Sequence, residues 1–217
     1  MKIPKLKLTI IIIFVGLMII ILSFGRSIPS LNIDAKFNKY ESRFIPVSNS
    51  IFFRQTLNNC APYSAMAIIS IVKNEINDPE KLANETKWRM QKNLTFPQGL
   101  IDLLHKYQIK TKEYVLYPYS DKEKINWLKN NINKGNPIIL LIEVSHIKHY
   151  LTIVGYDEDG LCIYDSLQEK SKNNSRMTVI DKPEYSGNRY YKNEELLKMW
   201  NAGGFMIFFS NWAVVCQ

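Results

Sequence analysis

The chain has 217 residues, 46% of them hydrophobic and 12% aromatic, enough for one sizeable core and an appendage. Its net charge of +8 comes mainly from dispersed lysines. Without an arginine-rich patch interleaved with aromatic residues this pattern speaks against nucleic-acid binding, and it fits attraction to an anionic surface such as a membrane or cell wall.

The N-terminus "MKIPKLK" carries Lys2, Lys5 and Lys7, and residues 8–25, "LTIIIIFVGLMIIILSFG", follow without a charge. That run is near the lower limit for a bilayer span of about 20 residues. The lysines before it and only Arg26 just after it predict a cytoplasmic N-terminus and an exported remainder. A cleaved signal peptide is the rival reading, with Ser23 and Gly25 small enough for a cleavage site. In either case residues 1–25 are an anchor or signal segment. Residues 26–41, with Pro29 and little periodicity, read as a linker, and residues 42–217 as the functional domain.

Around "FIPVSNSIFF" the chain turns β-like. A helix is expected just after Cys60, where Pro62 is tolerated in the first turn and Ala65, Ile68, Ile69 and Val72 recur at helical spacing. Asp78 and Pro79 are the N-cap and first residue of a second helix. "FPQGLIDLLHKYQI" gives a third, with Leu100, Leu103, Leu104 and Tyr107 on one face. A fourth begins at Ser120 or Asp121 and stops at Gly135. The period then becomes strand-like: "NPIILLIEV" is one strand, and "HYLTIVGYDEDGLCIYDSL" is two strands around an Asp/Glu/Gly turn. "YYKNEELLKMWNAG" reads as a late helix and "FMIFFSNW" as a closing strand. Helices first and antiparallel strands afterwards predict an α+β domain with segregated lobes.

Three cysteines, Cys60, Cys162 and Cys216, are an odd number, so at least one is unpaired in a monomer. No CxxC or His/Cys cluster has zinc spacing, so no metal or other cofactor is expected. Cys162 and Cys216 read as structural, and a disulfide between them stays open. Cys60 differs, because it stands at the positive end of a helix, where a thiolate is favoured. A base is also needed. Of three histidines, His105 reads as a surface residue of the third helix. His149 opens the first hairpin strand and Asp165 closes the second, sixteen positions later, with His146 as the fallback. A simple loop over Glu158–Gly160 would leave His149 and Asp165 about 13 Å apart, at roughly 3.4 Å per residue. The pair therefore demands a bulge, expected near Asp159–Gly160. Asp165 would then steady the imidazole. The backbone N–H of Cys60 and the side-chain amide of Gln55 supply donors for a developing oxyanion.

"RQTLNNCAPYSAMAIIS", "GNPIILLIEV", "HYLTIVGYDEDGLCIYDSL" and "NEELLKMW" resemble the papain-like cysteine peptidases related to bacteriocin double-glycine leader peptidases. The resemblance covers about Phe44 to Trp212. It implies a papain-like two-lobed fold, with a helical N-terminal lobe and an antiparallel β C-terminal lobe, which the apolar run at residues 8–25 would place behind a transmembrane helix. It also implies Cys60 as nucleophile, His149 as base, Asp165 as orienter and Gln55 as oxyanion donor, acting on a peptide or protein. Two positions depart from the family pattern: Ala61 follows the cysteine where glycine is usual, and the Gln55-to-Cys60 interval is one residue short. With one apolar span and no phosphate loop in the sequence, the family's C-terminal transporter is not expected here. The expectation is thus a membrane-anchored extracytoplasmic cysteine peptidase. A thiol amidase or acyl transferase on the same fold, or a non-catalytic peptide- or wall-binding protein, are the alternatives.

Overall fold

The computed structural model describes all residues except 1–4, 24–28, 37–41, 168–184 and 205–208. Seven strands form one sheet: β1 (Arg43–Phe44), β2 (Thr111–Val115), β3 (Ile138–Val144), β4 (Ile147–Tyr156), β5 (Gly160–Tyr164), β6 (Arg189–Lys192) and β7 (Trp212–Cys216). Their order is β2-β7-β3-β4-β5-β6, with β1 pairing β4 beyond the end of β3, and each of these pairings is antiparallel. Helices α1 (Lys5–Ser23), α2 (Cys60–Lys73), α3 (Pro79–Glu85), α4 (Pro97–Lys106), α5 (Asp121–Asn133) and α6 (Asn193–Ala202) complete the described structure, with two short 3-10 turns.

Local chemistry sets the helix ends. The Asp78 side chain accepts from Glu80 N at 3.0 Å and caps α3, with Pro79 in the first turn. Ser120 and Glu123 form a reciprocal capping box on α5, and Gly135 takes the left-handed conformation after its end. α2 has no side-chain cap at its N-terminus, so its first amide groups are not claimed by a capping side chain.

Alternation along the strands makes two cores. Ile139, Leu141, Tyr150, Trp212 and Val214 face Ala65, Ile68, Ile69, Leu100 and Leu104 of α2 and α4. Ile138, Leu140, Ile142, Leu151 and Ile153 face Leu128 and Ile132 of α5 and Leu196 and Trp200 of α6. The fold is therefore mixed helix and antiparallel sheet, as expected, but helices cover both faces rather than gathering in one lobe. β3 is apolar on both sides because both are buried, which explains why it reads as a continuous run.

Several expectations change in detail. β2 and β6 were not foreseen, and the closing strand is Trp212–Cys216, which begins at the last residue of the expected "FMIFFSNW" stretch, part of which lies outside the described residues. Cys216 is buried in that strand, in keeping with its reading as a structural residue. The Cys162–Cys216 disulfide is excluded: both thiols are free. Their strands stand three places apart in the sheet, about 14 Å at 4.8 Å per strand, against the roughly 6 Å between Cα atoms that a disulfide spans.

At the N-terminus the apolar run is helical, but among the described residues no helix is long and apolar enough to cross a membrane. α1 takes in Lys5 and Lys7, so its uncharged part, residues 8–23, is about 24 Å long at 1.5 Å per residue. A hydrocarbon core is about 30 Å thick. The last two residues of the expected span lie outside the described residues. Part of the segment read as a linker is laid on the domain. Ser30 forms a parallel bridge with Tyr114 of β2, its N–H bonding Glu113 O and its carbonyl accepting from Val115 N, both at 3.0 Å. Asn126 and Asn130 of α5 donate to the carbonyls of residues 34–36.

Candidate active site

Cys60 is the first residue of α2 and is 6% exposed. Its position is fixed by a polar clamp on the preceding loop. Asn59 donates to Thr56 Oγ1 at 2.7 Å and to Glu80 Oε2 at 3.3 Å, while Thr56 and Tyr63 donate to Glu80 Oε1 at 2.9 and 2.6 Å. From the other side the Arg89 guanidinium bonds Asn59 Oδ1, Ala83 O and Asn93 O. Asn58 Nδ2 donates to Lys92 O at 2.7 Å and Asn93 Nδ2 to Leu57 O at 3.1 Å, fastening this loop to the 88–95 loop.

His149 sits near the start of β4, where β3 pairs with it through Ile142. β5 ends at Tyr164, opposite Thr152, so residues 147–151 of β4 have lost that neighbour. At this open edge His149 Nε2 meets Asp165 Oδ1 at 2.8 Å, both side chains being buried. The sequence's demand for a bulge is met, though not near Asp159–Gly160. The register shifts between Ile153 and Gly155. Without that shift Asp165 would line up with Thr152, on the face opposite to His149. With it, one further step of the ladder brings Asp165 to the face that Leu151 and His149 share.

Asp165 is held from all sides. Oδ1 accepts from Leu167 N at 2.8 Å, Oδ2 from the Tyr191 hydroxyl at 3.3 Å, and Arg189 Nε stands 3.7 Å from Oδ2. Asn188 brackets its backbone with bonds of 2.8 and 2.9 Å. Burial raises the Asp165 carboxyl, but the charge and hydrogen bond of His149, with Leu167 N–H and Arg189, win and hold it below its ordinary value. Burial likewise opposes a charged His149. The charge and hydrogen bond of Asp165, joined by a hydrogen bond and charge interaction with Cys60, outweigh it and raise the imidazole to about 10. The ring is therefore an imidazolium at neutral pH, in reach of the sulfur on one side and the carboxylate on the other.

Gln55 is half-buried, and its position is tied to the segment after Asp165. Its N–H donates to Ser166 O at 2.9 Å and its Oε1 accepts from Ser166 Oγ at 2.7 Å. The left-handed Asn58 tightens the loop between Gln55 and Cys60. A cavity of about 210 Å³ opens beside this loop, lined by Arg54, Gln55, Leu57, Asn58 and Leu167 among others. Ala61 is fully buried in the core with Ala65 and Leu141.

The structure thus brings together Cys60, His149 and Asp165, and ties Gln55 to the Asp165 segment through Ser166. It leaves His146 out: that ring is almost fully exposed in the β3–β4 turn, 3.6 Å from Glu143. His105 bonds Thr111 Oγ1 on the surface. Among the described residues no His/Cys/Asp/Glu cluster could hold a metal. Arg89, Asn188 and Ser166 were not foreseen. Arg89 and Asn188 act across tens of residues of sequence, where no local pattern signals them, whereas Ser166 had one cue, its place beside Asp165.

The model of the Peptidase_C39 like family matches residues 45–201. A crystal structure described as a C39-like peptidase from Bacillus anthracis is similar over 82% of this chain and 98% of that one, at 15% identity and a TM-score of 0.54. The peptidase domain of Streptococcus ComA, a bifunctional ABC transporter of a quorum-sensing pathway, is similar over 80% and 96%, at 13% identity and a TM-score of 0.49. No curated protein matches.

Proposed function

We propose, from the premise that this chain belongs to the Peptidase_C39 like family, that it hydrolyses peptide bonds through a thioester on Cys60. The observation that carries the reading is the buried His149–Asp165 pair in hydrogen-bonding reach of a cysteine at a helix N-terminus. The Cys60 thiolate attacks the peptide carbonyl carbon, forming a C–S bond and moving the carbonyl electrons onto oxygen. The Cys60 N–H and the Gln55 amide are the donors for that oxyanion. As the C–N bond breaks, His149 gives its proton to the leaving amine. Water then attacks the thioester, passes a proton to His149, and the C–S bond breaks to release the acid and the thiolate.

The substrate is a peptide or protein, as the family implies, and the domain works outside the cytoplasmic membrane. Lys2, Lys5 and Lys7 ahead of the uncharged run of α1, residues 8–23, support this sidedness. Protease added to intact cells should degrade the domain; full protection until lysis would overturn the proposed location.

The chemistry is tested on the purified chain. Cys162 is raised to about 12 and Cys216 is also raised, both by burial, so at neutral pH they stay protonated and Cys60 is the thiol that reacts. Alkylation of Cys60 should slow markedly in His149→Ala, and a peptide library should be cleaved by the wild type and not by Cys60→Ala. Equal alkylation rates with and without His149 would sink the reading.

A further inference from the structure

We propose that Ser166 is a positioning residue for the oxyanion donor, its hydroxyl turning the Gln55 amide so that the NH₂ end faces the substrate carbonyl. This rests on the reading of Gln55 as that donor. A glutamine amide has two chemically opposite ends on one rotatable group. Turned one way it stabilises a negative oxygen; turned the other way it repels it. A built device must choose between them, and a side chain lining an open cavity has no packing to do so.

Ser166 is placed to make that choice. It is 1% exposed, its hydroxyl reaches Gln55 Oε1 at 2.7 Å, and its carbonyl accepts the Gln55 backbone N–H at 2.9 Å. Backbone and side chain of Gln55 are therefore gripped by one residue. The direction of the side-chain bond follows from satisfaction. Among the described residues the hydroxyl has no other acceptor, so reversing the amide would leave a buried O–H donor unsatisfied, which costs more than a hydrogen bond gains. With Oε1 so occupied, both N–H groups of Nε2 are left for a ligand. Ser166 also follows Asp165, whose backbone is bracketed by Asn188 at 2.8 and 2.9 Å. One pinned segment thereby steadies the acid that holds His149 and the amide that receives the oxyanion.

The test separates two reactions of the same sulfur in the full-length chain. Acylation of Cys60 by a nitrophenyl ester builds an oxyanion, whereas exchange with dipyridyl disulfide builds none. Ser166→Ala is expected to slow acylation by about 10- to 100-fold, as a misplaced catalytic group does, and to leave disulfide exchange within about twofold. Ser166→Thr, which keeps the hydroxyl, should recover most of the acylation rate. In a Gln55→Ala background Ser166→Ala should add nothing. Ser166→Ala slowing both reactions equally, or neither while Gln55→Ala slows acylation, would overturn the proposal and leave the thiol mechanism standing. If Gln55→Ala slows neither reaction, the oxyanion assignment itself falls and takes the proposal with it.

Discussion

At the scale of single residues the site turns on which of two opposed effects governs His149. Burial alone would drive the imidazole neutral, but a carboxylate at 2.8 Å and the neighbouring sulfur reverse the sign and raise it to about 10. The consequence for rate is an alkaline limb of kcat/KM near pH 10, where the imidazolium that protonates the leaving amine is lost. Asp165→Asn keeps the shape and removes the charge. That limb should move down by at least about one pH unit, and kcat should fall by about 10²- to 10⁴-fold, the scale of general acid catalysis. A pH–rate profile of both proteins checks this. The same shift acts on stability. A histidine raised above its ordinary 6.5 stabilises the fold fully below that pH and loses the contribution as pH climbs through about 10. Asp165, depressed from 3.8, contributes above that pH and loses it as pH falls through its lowered value. Thermal unfolding should therefore show Tm declining between about pH 7 and 10 in the wild type, and a flatter course in His149→Gln.

Among the elements, the β4 bulge decides whether histidine and aspartate share a face, and Gly155 beside it has no room for a side chain. A Cβ there would lie 2.6 Å from the Phe44 ring and 3.1 Å from Arg43 O, so β1 would have to move. Gly155→Val is expected to cost about 1–3 kcal/mol, the usual range for overpacking, measured by urea unfolding, and to slow Cys60 alkylation as the His149 register loosens. The clamp on the nucleophile loop predicts a similar pairing of effects. Arg89→Met removes a charged fork from three acceptors and should cost about 1.5–3 kcal/mol, with slower alkylation but an unshifted alkaline limb. This scale also shows what a sequence can and cannot disclose. The starts of α2, α3 and α5 were legible because proline, aspartate and serine caps act within a few residues. The meeting of His149 and Asp165 was legible only as a demand: hairpin spacing states how far apart they are, but a bulge is a choice of register made by packing against β1 and β3. β2 and β6 were missed because "TKEYV" and "RYYK" carry few apolar residues and are strands chiefly through their neighbours.

For the whole molecule the question is where the N-terminal segment ends and the domain begins. Composition places that boundary at residue 42, because residues 26–41 lack periodicity. The structure gives residues 30–36 work that composition cannot reveal, since it is done by backbone groups. β2 is an edge strand, and Ser30 satisfies Glu113 O and Val115 N on its open side. The half-buried Ile33 packs against the core beneath α5, and the Tyr119 hydroxyl bonds Ile33 N and Leu31 O. An uncovered edge invites pairing with another chain, so this strap shields the sheet. A chain starting at residue 42 should therefore be less stable than one starting at residue 29 by about 2 kcal/mol, from one partly buried isoleucine and a few hydrogen bonds. It should also aggregate at concentrations the longer chain tolerates. Urea unfolding and light scattering on the two fragments measure both effects. The candidate active site lies on the β4 edge rather than at β2, so Cys60 alkylation in the folded fraction should be unchanged; identical stability of the two fragments would return residues 30–36 to the status of a free tether.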